Sequence, residues 1–376
     1  MRAVRFHGKR DIRLDRIPVP EICNNEQVKI KPSFTGLCGT DLHEYLEGPF
    51  MIPSAPHKVT GEQCPVVIGH EFSGVVTELG KDVHDLQIGD KVTVQTIIFD
   101  RVCNSCQRGL INCCPNSGFI GLSWGGGLAE YIVLPRWALF KIPSHVSLQV
   151  GALVEPLAVA WHAVKLSHLD RTDSVLVIGA GPIGLAVVQV LRARGVKNVF
   201  VSEPVKLRRK LATDFGAARV LSPLEDDVVG TCTGLTGGEG VQAVFDTAGV
   251  QSGLDTAVAV CRPRASIVNI AVWGKQALVH PTILMRNEIS YVGSRTYSQG
   301  DFQEVIDSIA SGALQPQSMI TSVIKMEDVE QKGLKALHED KDTNIKIIVE
   351  VSKGTEFGVY LDYIRPRPIL ICQFKN

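Results

Sequence analysis

Apolar and polar residues change rhythm once along this 376-residue chain, near residue 157. Before that point the pattern has a period of two. Val28 and Ile30 alternate with Gln27, Lys29 and Lys31, which predicts a strand with one face buried. Short β-rich runs at residues 72–78, 91–94 and 130–134 follow, each bounded by Gly or Pro. Such a series predicts an irregular β-domain whose loops can carry a site. Beyond residue 157, short apolar strands alternate with helices. Residues 175–178 read as a buried strand, 183–194 as a helix and 199–202 as the next strand. Further strands are predicted at 220–221, 243–245, 267–270 and 289–292. Repeated β-α-β units imply a parallel, doubly wound sheet, so the fold class is α/β with a β-rich second domain. Phe302, Val305, Ile306 and Ile309 share one helix face, residues 345–351 read as a strand, and the period decays after Val351.

Composition adds exclusions. Hydrophobic residues at 45% and charged residues at 21% describe an ordinary globular chain long enough for two domains. Lys plus Arg and Asp plus Glu number 39 each, which leaves no basic footprint for nucleic acid or a membrane face. The opening MRAVRFHGKRDIRL lacks the apolar core of a signal peptide. The longest apolar run, residues 174–191, is broken by three glycines and Pro182 within a turn, so a buried strand, turn and helix explain it better than a membrane span. The expectation is a cytoplasmic enzyme with neither a nucleic-acid nor a membrane partner. Of ten cysteines, Cys103, Cys106, Cys113 and Cys114 cluster, a pattern of metal binding rather than of disulfides.

The sequence Gly179-Ala180-Gly181-Pro182-Ile183-Gly184 falls directly after one predicted strand and before a helix. The first glycine permits a tight turn, the second lets the backbone approach a pyrophosphate, and the third lets helix and strand pack closely. Unpaired N–H groups at the helix start complement the phosphate charge. Glu203 closes the second strand, where a carboxylate accepts hydrogen bonds from an adenosine ribose diol. That acid favours NAD over NADP, because it repels a 2′-phosphate. Lys206, Arg208 and Arg209 lie close by and read as a solvated helix face.

Two short segments carry metal chemistry. Cys38-Gly39-Thr40-Asp41-Leu42-His43 and Gly69-His70-Glu71 hold a thiolate, imidazoles and a carboxylate, donors that suit a four-coordinate zinc with one exchangeable position. Cys38 and His70 are candidate ligands, with Glu155 as the third protein donor and Glu71 as its rival. Thr40 and His43 supply a route for a departing proton. A second set, Asp100, Cys103, Cys106 and Cys114, has the spacing of a closed structural zinc loop. Asp100 stands where a fourth thiolate is expected, so the site is either Asp plus three Cys or incomplete.

These residues together resemble the medium-chain, zinc-dependent alcohol/polyol dehydrogenases over residues 1–351. The likeness is carried by GHEFSGVV at 69–76, the cysteine lobe, GAGPIG at 179–184 and VFDTAGV at 244–250. Within that family, CGTDLHEYLEGP at 38–49, GFIGLSWGGGLAEY at 118–131 and EPLAVAWHAV at 155–164 are most similar to the 2,3-butanediol branch. The resemblance implies a GroES-like catalytic domain over 1–156 and 296–351, a Rossmann domain over 157–295 and an atypical tail over 352–376. It implies Cys38, His70 and Glu155 as catalytic zinc ligands with Glu71 adjacent. It gives Thr40 as proton acceptor, His43 as relay and Glu203 as the ribose acid. The expected substrate is a small vicinal diol or hydroxyketone, (R,R)-2,3-butanediol and acetoin, with zinc and NAD, in a homodimer or homotetramer. Sorbitol-, xylitol- or threonine-type oxidation is the alternative, and a non-catalytic dinucleotide-binding protein the alternative of another class.

Overall fold

A computed structural model describes residues 1–340 and 342–352, and the counts that follow are among the described residues. The tail expected over 352–376 lies, from residue 353, outside them. A seven-stranded mixed sheet runs Leu139–Lys141, Lys91–Val94, Glu71–Leu79, Gln27–Gly36, Lys346–Glu350, Ile320–Lys325, with Ile132–Pro135 also paired to Gln27–Gly36. The late strand Lys346–Glu350 thus lies against Gln27–Gly36, far from it in sequence. Val28 and Ile30 of that central strand are fully buried, as their alternation requires. Pro32 falls where the ladder to Glu71–Leu79 shifts register, so its missing N–H costs the sheet little.

The second large sheet is parallel throughout. Its order is Arg219–Leu221, Asn198–Ser202, Ser174–Ile178, Val241–Asp246, Cys261–Asn269, Ser290–Gly293, which is 3-2-1-4-5-6 counted along this part of the chain. Val175, Leu176 and Val177 are fully buried, which explains an apolar run without alternation. The order reverses between Ser174–Ile178 and Val241–Asp246. A crevice opens there at the carboxyl ends of the strands, the place where such sheets bind ligands.

Two departures from the sequence pattern have local causes. The run expected at 130–134 begins at Ile132, because both Glu130 oxygens accept Arg2 donors, backbone N–H and Nε, at 2.8 Å. The strand expected at 267–270 spans Cys261–Asn269, its polar start hidden by an irregularity against Val241–Asp246. Arg2–Gly8 and Asp11–Arg16 form an N-terminal hairpin that strict alternation does not announce.

Helix Val154–Leu166 carries Glu155 on its first turn and packs against helix Gln299–Ala310. The contact is polar and centres on the fully buried Asp301. Asp301 accepts Ser298 N–H at 2.7 Å and Ser298 Oγ at 2.6 Å, meets His162 Nδ1 at 2.7 Å, and pairs with Lys165 Nζ at 2.8 Å. Trp161 Nε1 donates to Glu304 at 2.5 Å. Among the described residues no helix is long and apolar enough to cross a membrane.

Candidate active site

The strand register builds the metal cluster. Gly36 pairs with Glu71, so the chain just after Gly36 and the chain just before Glu71 leave the sheet side by side. Cys38 and His70 occupy those exits. Cys38 caps helix Gly39–Glu47, and Asp41 accepts its N–H at 2.9 Å. The other Asp41 oxygen faces His70 Nδ1 at 3.4 Å. Cys38, His70 and Glu71 bring donor atoms within 4.8 Å of one another. Glu155 stands outside that set; it is buried and feels the charges of His70, Glu71 and Lys346.

Electrostatics shows what this cluster can hold. Burial opposes the imidazolium form of His70, but the negative charges of Asp41 and Cys38 outweigh it and hold the ring well above its usual 6.5. Burial pushes the Glu155 carboxyl up to about 7, with His70 pulling it back and Glu71 adding to the rise. Asp41 Oδ1 and His70 Nδ1 are buried without a hydrogen bond among the described residues. Thiolate, imidazole and carboxylate crowd together in a field that a divalent cation relieves, and sulfur, nitrogen and oxygen donors suit zinc.

Thr40 is half-buried with Oγ1 3.7 Å from Cys38 Sγ, whereas His43, one turn on, is exposed. The two therefore lead outward from the cluster. Glu71 is less free than its motif suggests. Lys346 Nζ donates to its two oxygens at 2.6 and 2.8 Å and to Leu37 O at 3.2 Å, with Glu71 and Lys346 each only 1% exposed. Asp41 and Lys346 were both missed from sequence. Asp41 carried a signal, a carboxylate three residues after the capping Cys38.

The cysteine lobe also closes. Asp100, Cys103, Cys106 and Cys114 place donors within 4.8 Å, and exposed Cys113 is outside the set. Cys103 Sγ and Cys114 Sγ are 3.9 Å apart, and Cys106 N–H donates to Cys103 Sγ at 3.4 Å. Asp100 accepts the N–H groups of Val102 and Cys103 at 3.0 Å and Asn116 Nδ2 at 2.8 Å. Those bonds, that from Cys103 first, hold its carboxyl well below the usual range. Three thiols and an anionic oxygen fit a four-coordinate zinc.

At the crevice, Gly179 has φ 88°, the left-handed turn that glycine permits. A side-chain carbon at Gly184 would stand 2.0 Å from Gly179 O, so helix and turn touch only because it is absent. Gly181 precedes helix Pro182–Ala193, with Pro182 and Ile183 opening its first turn. The cavity of 690 Å³ is walled by Gly179, Gly181, Glu203, Arg208 and Thr247. Glu203 accepts Ala180 N–H at 2.6 Å and Val205 N–H at 2.8 Å. A carboxylate has about four acceptor positions, so two remain for a ribose diol. Open space over Gly181 and this acid fit a dinucleotide. Arg208 corrects the expectation of a solvated helix face: it lines the cleft, while Lys206 is exposed. Arg209 also turns inward, donating to Glu203 O at 3.0 Å and Pro204 O at 2.5 Å.

A doubly wound sheet with a glycine turn, joined to a β-region with a Cys/His/Glu cluster, defines a metal-assisted, dinucleotide-linked oxidoreductase. The zinc-binding dehydrogenase family matches residues 182–311, and the alcohol dehydrogenase GroES-like domain matches residues 24–144. An (R,R)-butanediol dehydrogenase of Neisseria gonorrhoeae is 38% identical, over 93% of this chain and 99% of that protein. A probable (R)-acetoin-forming diacetyl reductase of Saccharomyces cerevisiae is 34% identical, over 95% and 92%. The crystal structure of 2R,3R-butanediol dehydrogenase from Bacillus subtilis superposes with a TM-score of 0.87 at 36% identity, over 93% of this chain and 99% of that one. The chain belongs to the zinc-dependent medium-chain alcohol dehydrogenases, and it is a zinc- and NAD-dependent oxidoreductase.

Proposed function

We propose that the enzyme interconverts a small vicinal diol and its hydroxyketone, (R,R)-2,3-butanediol and acetoin, with NAD. The observation that carries this reading is the convergence of Cys38 and His70, with Thr40 beside them, in a chain that matches diol dehydrogenases over nearly its whole length. Cys38, His70 and Glu155 are the proposed holders of the catalytic metal. Glu155 is preferred to Glu71 because both Glu71 oxygens are bonded to Lys346. Zinc bound there supplies Lewis acidity toward the substrate oxygen. Thr40 accepts the hydroxyl proton, and exposed His43 passes it to solvent. Gly179, Gly181, Pro182, Ile183 and Gly184 cradle the pyrophosphate. Glu203 holds the ribose, so that NAD is the hydride acceptor.

Asp100, Cys103, Cys106 and Cys114 are proposed to hold a second, structural zinc. The catalytic domain is proposed to span residues 1–156 and 296–351 around a nucleotide domain at 157–295, a division supported by the strands at 320–325 and 346–350 rejoining the first sheet. A cytoplasmic setting keeps such a lobe reduced.

Resolved butanediol stereoisomers, sorbitol, xylitol and threonine, each tried with NAD and NADP, test the substrate. The expected result is NADH formation with kcat/KM at least about tenfold higher for (R,R)-butanediol than for any polyol. A preference for sorbitol overturns it. Better use of NADP would overturn the role of Glu203 and point to Arg208.

A homodimer or homotetramer is proposed because Ser290–Gly293 ends the parallel sheet with an edge that is open on one side among the described residues. The chain between the last two strands exposes Val272, Leu278 and Met285, and Tyr291 on the edge strand is 42% exposed. Light scattering is expected to give two or four chains; a single-chain mass overturns this.

A further inference from the structure

Thr247, the first residue after strand Val241–Asp246, stands beside the glycine turn where the sheet order reverses. Its N–H donates to Ile178 O at 3.0 Å, and its hydroxyl donates to Ile178 O at 2.9 Å and Gly179 O at 3.1 Å. Both acceptors are carbonyls, so the one hydroxyl hydrogen is given and shared between them. A side-chain carbon at either Gly179 or Gly184 would stand 2.9 Å from this oxygen, so two glycines of the turn clear the space it fills.

Thr247 is itself held in place. Fully buried Asp246 accepts the N–H groups of Ala248 and Gly249 on Oδ1 at 3.0 Å. Its carbonyl accepts Ile270 N–H at 2.9 Å and Ala271 N–H at 3.1 Å, which ties two strand ends together just before Thr247.

A peptide unit is planar, so holding its oxygen and its hydrogen fixes the whole plane. The Gly179–Ala180 peptide is caught on both sides, by Thr247 at its carbonyl and by Glu203 at its N–H, 2.6 Å away. Glu203 is braced in turn by Val205 N–H at 2.8 Å. The next residue is Gly181, where an added side-chain carbon would meet only Arg208 Nη1, at 3.9 Å, among the described residues.

We propose that Thr247 is a positioning residue for the cofactor's pyrophosphate: its hydroxyl, opposite Glu203, locks the Gly179–Ala180 peptide so that the backbone at Gly181 faces the cleft. The proposal rests on the glycine turn being the pyrophosphate cradle.

The test compares ADP-ribose with adenosine as competitors of NADH, since both carry the adenosine and only the first carries the pyrophosphate. Wild type, Thr247→Val, Thr247→Ala, Thr247→Ser and Gly181→Val are measured. In Thr247→Val, which replaces the hydroxyl by a methyl, ADP-ribose is expected to bind about tenfold more weakly and adenosine within about twofold of wild type. Thr247→Ser keeps the hydroxyl and should restore ADP-ribose binding to within about twofold. Thr247→Ala decides the question if Thr247→Val does not fold. Equal weakening of both competitors, or no recovery in Thr247→Ser, overturns the proposal, because a merely loosened crevice does not single out the pyrophosphate. Gly181→Val puts a branched side chain over the turn and should also weaken ADP-ribose. If it does and Thr247→Val and Thr247→Ala do not, the positioning role alone fails. If Gly181→Val leaves ADP-ribose binding unmoved, the cradle reading fails and the proposal falls with it.

Discussion

His70→Ala is expected to lower kcat for diol oxidation about a thousandfold, because the metal's stabilisation of developing negative charge is worth several kcal/mol and each ~1.4 kcal/mol is tenfold in rate. The imidazole is buried beside Asp41 and Cys38, so the smaller side chain leaves the cluster short of its nitrogen donor. Zinc content should fall from two per chain to one. The lobe of Asp100, Cys103, Cys106 and Cys114 is built from a separate loop and keeps its own. NADH affinity should hold within about twofold, since Gly179 to Gly184 and Glu203 follow strands of the parallel sheet, not of the β-region. A zinc-free centre that oxidises the diol at the wild-type rate would falsify the metal role. One zinc per chain in the wild type would instead show that the Asp100 lobe is empty.

The nucleotide turn was legible because everything it needs is local: glycines at fixed offsets, a preceding apolar strand and Glu203 at the end of the next strand. The metal centre was legible only in part. Cys38 and His70 sit in short motifs, but the register that brings them together spans two strands, and no spacing announces it. Glu44 to Pro49 falls in the stretch 38–49 that carries the likeness to the 2,3-butanediol branch. In the structure Glu44 is buried and accepts the N–H groups of Phe50 and Met51 at 2.9 and 2.6 Å, the brace of a turn closing the helix. Arg208 was misread for a related reason. A helix pattern tells which residues are polar, but not which side faces a cleft. Lys346 was illegible because its partner, Glu71, lies 275 residues away.

Lys346→Ala is expected to be the most destabilising single change near the site. The ammonium and the Glu71 carboxylate are both almost fully buried, with Nζ to oxygen distances of 2.6 and 2.8 Å. Deleting the lysine strands a carboxylate in the interior, which costs about 3–5 kcal/mol. Little relaxation is available. A side-chain carbon at Gly36 would stand 2.2 Å from Glu71 Oε2, so the carboxylate is already pressed against the neighbouring strand. Melting should fall by roughly 5–15 °C. Burial alone would lower the Lys346 pKa, but the charge of Glu71 outweighs it and raises it above 10.5. A raised lysine contributes fully below its unfolded value, near ~10.4, and loses its contribution as pH rises through the folded value. The stability gap between wild type and variant should therefore be flat from about pH 6 to 9 and narrow only in strong alkali. Lys346→Met combined with Glu71→Gln removes both charges at similar volume and should recover at least about half of the loss. Calorimetry on wild type, Lys346→Ala and the double variant decides the matter. A loss below about 1 kcal/mol in Lys346→Ala would mean that water reaches Glu71 and that the pair is no more than a surface bridge.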